Sequence, residues 1–212
     1  MGIRYDTGTG VVQDYAEAVK WYRLAAQQGD AQAQLNLGIR YDTGQGVVQD
    51  YAEAVKWYRL SAQQGNADAQ YNLGIRYDTG TGVVQDYAEA VKWYRLAAQQ
   101  GDASAQYNLG YSYRNGKGVV QDYAEALKWY RLSAQQGNAD AQYNLGLMYY
   151  KGQGVVQNYV KAHSWFNLGA VNGDANAVKA RDIVAKLMTP QQIGDAQKLA
   201  RDCQARQLKG CD

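Results

Sequence analysis

Five tyrosines, Tyr5, Tyr41, Tyr77, Tyr113 and Tyr149, stand 36 residues apart, and so do five tryptophans, Trp21, Trp57, Trp93, Trp129 and Trp165. A fixed spacing of this size marks an architecture in which one supersecondary unit is stacked on its own copies. That constraint precedes every other reading of the chain. It points to a binding surface rather than a catalyst, and it does not name the partner.

One unit, residues 66–101, reads as two helices. Asn66 is a suitable N-cap, and Ala67, Ala69, Leu73, Gly74 and Tyr77 follow at three- and four-residue steps. Gly80-Thr81-Gly82 interrupts the helix and predicts a loop, with Val83 and Val84 expected to tuck it against the core. Asp86 then caps a second helix, with Glu89 placed to complete a capping box. Ala90, Trp93, Tyr94, Ala97 and Ala98 give that helix its buried side, and Gly101 ends it. A hairpin this small cannot bury both its apolar faces, so neighbouring units must supply the core. Gly38, Gly74, Gly110 and Gly146 recur in the middle of the first helix, where glycine costs about 1 kcal/mol relative to alanine. Repetition of that cost predicts a close helix approach, with Tyr and Trp filling the space opposite.

The pattern A-x-A-x-x-x-L-G-x-x-Y-x-x-G-x-G-V, followed by D-x-x-x-A-x-x-W-x-x-x-A-A-x-x-G, resembles the Sel-one-like repeat (SLR), a relative of the tetratricopeptide repeat. Ala67, Ala69, Leu73, Gly74, Tyr77, Gly80, Gly82, Val83, Asp86, Ala90, Trp93, Ala97, Ala98 and Gly101 carry the match. The expected fold is all-α: an α/α superhelical solenoid of 36-residue helix-loop-helix repeats with a C-terminal helical cap. Repeats occupy 1–174, with a partial first copy and full copies at 31–66, 67–102, 103–138 and 139–174; capping helices occupy 175–212. The resemblance implies an adaptor role without fixing a ligand.

The copies differ mainly along the first helix. In the geometry of the resembling family that helix lines the concave face, which places Leu35, Tyr71, Tyr107 and Tyr143 in a row beside Asn36, Asn72, Asn108 and Asn144. Ile39, Ile75, Tyr111 and Leu147 continue the stripe, and Arg114 and Tyr150 replace the aspartates of earlier copies. Tyrosine offers rigid contact area with a polar tip, and asparagine offers a donor and an acceptor to a peptide backbone. The expected partner is therefore a protein or peptide in that groove. In the competing reading the tyrosines fill space between adjacent repeats. The Lys-Trp-Tyr-Arg segments of the second helix read as a solvated basic edge.

The net charge of +2, with no basic stripe, argues against nucleic acid, and no apolar run approaches the ~20 residues of a membrane span. No phosphate loop, G-x-S-x-G or H-E-x-x-H occurs, so neither an enzyme nor a cofactor is expected. His163 is the only histidine; lacking a second His or a nearby Cys, it is read as packing against the cap rather than as a metal ligand. In the last unit it replaces the Val19/Val55/Val91/Leu127 position, and Gly169 stands where Ala or Ser stood, admitting a closer neighbour. Ala177, Val178, Ile183, Val184 and Leu187 predict one amphipathic cap helix; Thr189-Pro190-Gln191-Gln192 starts another, with Ile193, Ala196, Leu199, Ala200 and Cys203 as its apolar stripe.

Met1-Gly2 aligns with Leu37-Gly38, in mid-helix. This favours an excised chain that has lost a leader over a complete cytoplasmic protein, and leaves a truncated face open to self-association. Cys203 and Cys211 in one straight helix would lie about 12 Å apart, beyond the ~7 Å limit for a disulfide, unless Gly210 folds the tail back. Exported members of the resembling family often carry disulfides, some with this separation. A bridge implies a periplasmic or secreted setting; free thiols imply a reducing cytoplasm. A further alternative drawn from the family is an exported cell-envelope protein that binds or acts on peptidoglycan- or β-lactam-like ligands.

Overall fold

The computed structural model describes residues 1–211. Its helices are α1 (Gly2–Thr7), α2 (Tyr15–Gln27), α3 (Ala31–Thr43), α4 (Tyr51–Gln63), α5 (Ala67–Thr79), α6 (Tyr87–Gln99), α7 (Ala103–Asn115), α8 (Tyr123–Gln135), α9 (Ala139–Lys151), α10 (Tyr159–Val171), α11 (Ala175–Ala185) and α12 (Pro190–Ala205). No strand occurs among the described residues. Two compact units divide the chain, one from Met1 to Gln100 and the other from Gly101 onward. In each, helix pairs stack as an α/α solenoid, odd-numbered helices forming the first member (helix A) and even-numbered ones the second (helix B) through α10.

The boundaries follow from local chemistry. Asn66 accepts from the Ala69 N–H at 2.9 Å, and Asp50 accepts from the Glu53 N–H at 3.0 Å. Glu89 does not complete a capping box, because its carboxylate is taken by Lys92 at 2.7 Å, one helical turn away. A complete capping box forms instead at Thr189 and Gln192. Helix α5 ends at Gly80, whose φ of 73° suits a residue without Cβ. Farther along the loop, a Cβ on Gly82 would strike the Tyr51 carbonyl at the start of α4. Val83 packs on the core, but Val84 points outward and is 85% exposed, contrary to expectation, because only one of two successive residues can face inward in so tight a loop.

The mid-helix glycines sit under aromatic rings. A Cβ on Gly74 would lie 2.6 Å from Tyr94 ring carbons, and one on Gly38 would lie 2.7 Å from Tyr58. Gly110 meets Tyr130 and Gly146 meets Phe166 in the same way. The filler is thus the residue after each tryptophan. Trp57 and Trp93 instead pack against clusters centred on the preceding helix pair.

A ladder of amides anchored on buried glutamines, invisible in the apolar pattern, joins the layers. Gln34 donates to the Ala26 carbonyl at 3.1 Å and accepts from Gln64 at 2.8 Å. Gln70 repeats this with Ala62 and Gln100, and Gln142 with Ala134 and Asn172. The helix-B arginines are not a solvated edge: Arg59 donates to the Tyr77 hydroxyl at 2.8 Å and Arg131 to that of Tyr149 at 3.3 Å, each reaching the next helix A.

In the cap, Ala177 and Val184 are buried, whereas Val178, Ile183 and Leu187 are exposed. The first cap helix therefore buries a narrower face than predicted. Helix α12 buries Ala196, Ala200 and Cys203 as expected. Replacing Gly74 with alanine should raise helix propensity by about 1 kcal/mol yet overpack against Tyr94 at a cost of about 1–3 kcal/mol. Urea unfolding should thus show a net loss of stability; a neutral or stabilising Gly74→Ala would refute the close-contact account.

Candidate functional site

The predicted surface residues fall into distinct classes once packed. In the first unit, Leu35 is 3% exposed and belongs to the core, so it is removed from the candidate surface. Its equivalent Tyr71 is too large to be swallowed in the same way, and its half-buried ring lies tilted on Tyr94 with centroids 6.2 Å apart. Asn36 accepts from Gln32 at 3.2 Å. Ile39, Asn72 and Ile75 are half-buried.

The polar groups beside this stripe are largely satisfied internally. Arg40 pairs with Asp6 at 3.1 Å and Arg76 with Asp42 at 3.2 Å, bridging successive A helices. The Tyr22 and Tyr58 hydroxyls donate to the same aspartates at 3.0 and 3.3 Å. Burial, aided by the nearby Asp42 charge, pushes the Tyr58 hydroxyl well above the ordinary tyrosine range. Arg40 also lies over the Tyr15 ring, 5.3 Å from its centroid.

In the second unit, Ser112 and Arg114 occupy the positions held by Arg76 and Asp78 one repeat earlier. Ser112 turns back to the Asn108 carbonyl at 2.9 Å, and Arg114 donates to Asn144 at 2.5 Å. Asn144 is thereby 8% exposed and engaged, with its amide on the Asp140 carbonyl at 2.8 Å. Asn108 is half-buried, and Tyr111 is 43% exposed, the most open aromatic of the stripe. Tyr107 lies on Tyr130 and Tyr143 on Phe166, each pair 5.8 Å apart between centroids. Burial raises the Tyr107 hydroxyl, and Asp140 adds to the effect. The tyrosines therefore fill space within their own helix pairs, not between adjacent repeats, while staying only half-buried.

Three predicted residues are brought together more tightly than the pattern suggested. Tyr143, Leu147 and Tyr150 form one wall of a cleft of roughly 250 Å³, closed by Ile183, Val184 and Lys179 of α11. The α11 residues were missed because a cap helix was expected to bury all its apolar side chains. The signal that could have found them is the excess of apolar positions over what one narrow stripe can bury.

His163 is 3% exposed and sits with Arg181 and Ile193 between α10 and the cap, as expected. Among the described residues no group of three or more His, Cys, Asp or Glu is placed to hold a metal ion. No helix there is long and apolar enough to cross a membrane. Cys203 and Cys211 are buried at disulfide distance, with Cα atoms 5.1 Å apart, because the chain reverses after α12.

The Sel1 repeat family model matches residues 1–30, 31–66, 67–102, 103–138 and 139–174. A protective antigen of uropathogenic Escherichia coli with an SLR fold is 39% identical, with a TM-score of 0.86 over 97% of this chain and 46% of that one. The chain thus spans less than half of that antigen. A Sel1 repeat protein from Oxalobacter formigenes is 36% identical, with a TM-score of 0.82 over 95% of this chain and 84% of its own. An immunity protein from Pseudomonas aeruginosa, 22% identical with a TM-score of 0.52 over 100% of this chain and 82% of its own, shares the fold alone. No curated protein sequence matches.

Burial holds the His163 imidazole below its usual pKa, with Arg181 acting in the same direction and Asp182 against it. Arg201 of α12 lines the same cleft. A folded state that resists protonation loses stability as pH falls below the unfolded imidazole pKa of roughly 6.5, and keeps it above. Denaturant unfolding should accordingly show stability declining from pH 7.5 to 5.5, and His163→Val should flatten that slope. An unchanged slope in the variant would assign the decline to other groups.

Proposed function

Because this chain belongs to the Sel1-repeat family, whose members generally serve as protein–protein interaction scaffolds, we propose that its helix-A surface binds a peptide or a partner protein. The observation that carries this reading is the cleft where Tyr143, Leu147 and Tyr150 meet α11. Its walls are aromatic and aliphatic, its rim offers Lys179 and Asn176, and it accommodates one or two apolar side chains. Tyr111, farther along the same stripe, adds an open aromatic contact. A peptide with apolar anchors laid along these positions, extended or helical, meets the recognition chemistry available. In the same unit Arg114 is committed to Asn144, so specificity in this reading comes from shape and apolar anchoring more than from charge.

Peptides selected from a random displayed library on the wild-type chain, then synthesised, test this. Ile183→Glu places a charge at the cleft mouth on a side chain that is already 55% exposed, so it should spare the fold. Together with Tyr111→Ala it should weaken the selected peptide by about tenfold or more, with a nearly unchanged melting temperature. Equal binding by wild type and variant would refute the assignment of the surface.

The cysteine pair supports an oxidising compartment for the chain, and with it a bridged tail. Closing a loop of this length stabilises by about 2–3 kcal/mol on the chain-entropy model. Reductant should therefore lower the midpoint of thermal unfolding, and protein isolated from its native compartment should resist thiol alkylation until reduced. Two thiols that alkylate freely without reductant would place the chain in a reducing environment.

A further inference from the structure

A second cleft, of roughly 410 Å³, lies between α10, α11 and α12. Unlike the helix-A cleft its lining is mainly polar: His163 and Asn167 from α10, Arg181 and Asp182 from α11, Gln197 and Arg201 from α12. Two of these residues are departures from the repeat. His163 stands where Val91 and Leu127 stood, and Asn167 where Arg95 and Arg131 stood. The helix-B arginine reaches a tyrosine of the next repeat at Arg59 and Arg131; the last repeat has no successor of that kind, and a short amide takes its place.

The cleft is built but incompletely satisfied. His163 is 3% exposed and its Nδ1 has no hydrogen-bond partner, a costly condition for a buried polar atom. Arg181 is held in place by Asp182, through Nε at 3.0 Å and through a terminal nitrogen at 2.9 Å, and it also reaches Asn167 at 3.5 Å. Arg201 is exposed and forms no ion pair among the described residues. Two guanidinium groups against one carboxylate leave the cleft lining with one excess positive charge. A guanidinium fork suits a planar carboxylate, and the side-chain amides of Asn167 and Gln197 can bond to the atoms beside it.

We propose that this cleft binds the carboxylate of a small organic anion, with Arg201 supplying the charge, Asn167 and Gln197 orienting the ligand, and His163 forming the floor. The site is independent of the helix-A surface, so either can fail without the other. His163 is the only histidine in the chain, so its ring resonances report occupancy without ambiguity.

The test is an NMR titration of the full chain with N-acetylglycine, with its uncharged amide N-acetylglycinamide, and with inorganic phosphate. N-acetylglycine should move the His163 ring signals saturably, and the amide should not. Arg201→Gln should weaken that binding by about tenfold or more, with an unchanged melting temperature because the side chain is exposed. Gln197→Leu, also at an exposed position, should weaken it less. Absence of a saturable shift, equal binding by Arg201→Gln, or phosphate binding more tightly than N-acetylglycine would each overturn the proposal.

Discussion

An aromatic ring packed directly against a glycine in the facing helix is the contact on which the rest of this structure depends. At Gly74 and Tyr94 it draws helix A and helix B so close that no Cβ fits between them. The glycine sacrifices helix propensity, and the buried ring more than offsets that loss through its apolar area. The same contact fixes where the tyrosine hydroxyl emerges. In the first unit it emerges beside Asp42, which binds both the Tyr58 hydroxyl and Arg76 of the next helix A. Packing inside one helix pair thus positions the charge that links it to its neighbour.

The second linkage is polar and buried. Gln34, Gln70 and Gln142 each satisfy a helix-B carbonyl of the preceding pair and accept from an amide of their own pair. An apolar interface would tolerate sliding by part of a turn. These amides would not, because each buried donor would be left without its acceptor. Hydrophobic burial supplies most of the attraction between layers, and the glutamines set their register.

The fold was legible because its determinants are local and repeated: caps at Asp50 and Asn66, a left-handed stop at Gly80, and a fixed spacing of tyrosines. The surface was less so. Leu35 and Tyr71 occupy the same register, yet one is core and the other half-open, because the difference lies in side-chain length rather than in helix position. The amide–amide bonds of the glutamine ladder and the Arg114–Asn144 bond join residues about one repeat apart, a distance at which periodicity places helices but does not assign polar partners. The exposed face of α11 escaped for the opposite reason. Its apolar residues look like core in a one-dimensional pattern, but α10 covers only the stripe of Ala177 and Val184.

The end of a stack places demands that its interior does not. An inner helix B faces another copy of helix A, so its outward residues are chosen for that copy: an arginine for the next tyrosine, small residues for the next helix. Helix α10 faces a cap of different sequence, and its residues change accordingly. Gly169 replaces Ala or Ser because a Cβ there would stand 3.1 Å from the Ala177 Cβ. Phe166 replaces tyrosine at the glycine contact, and its ring fills the same space against Gly146. These two changes are accounted for by packing alone. Asn167 follows from the absence of a next tyrosine for an arginine to reach, but His163 is not accounted for in this way, since valine or leucine at that position serves every earlier repeat and would have met a cap that only needed an apolar seal. Polarity at the one place in the second unit where the stack meets a helix of foreign sequence is therefore the feature of this chain that its repetition does not explain.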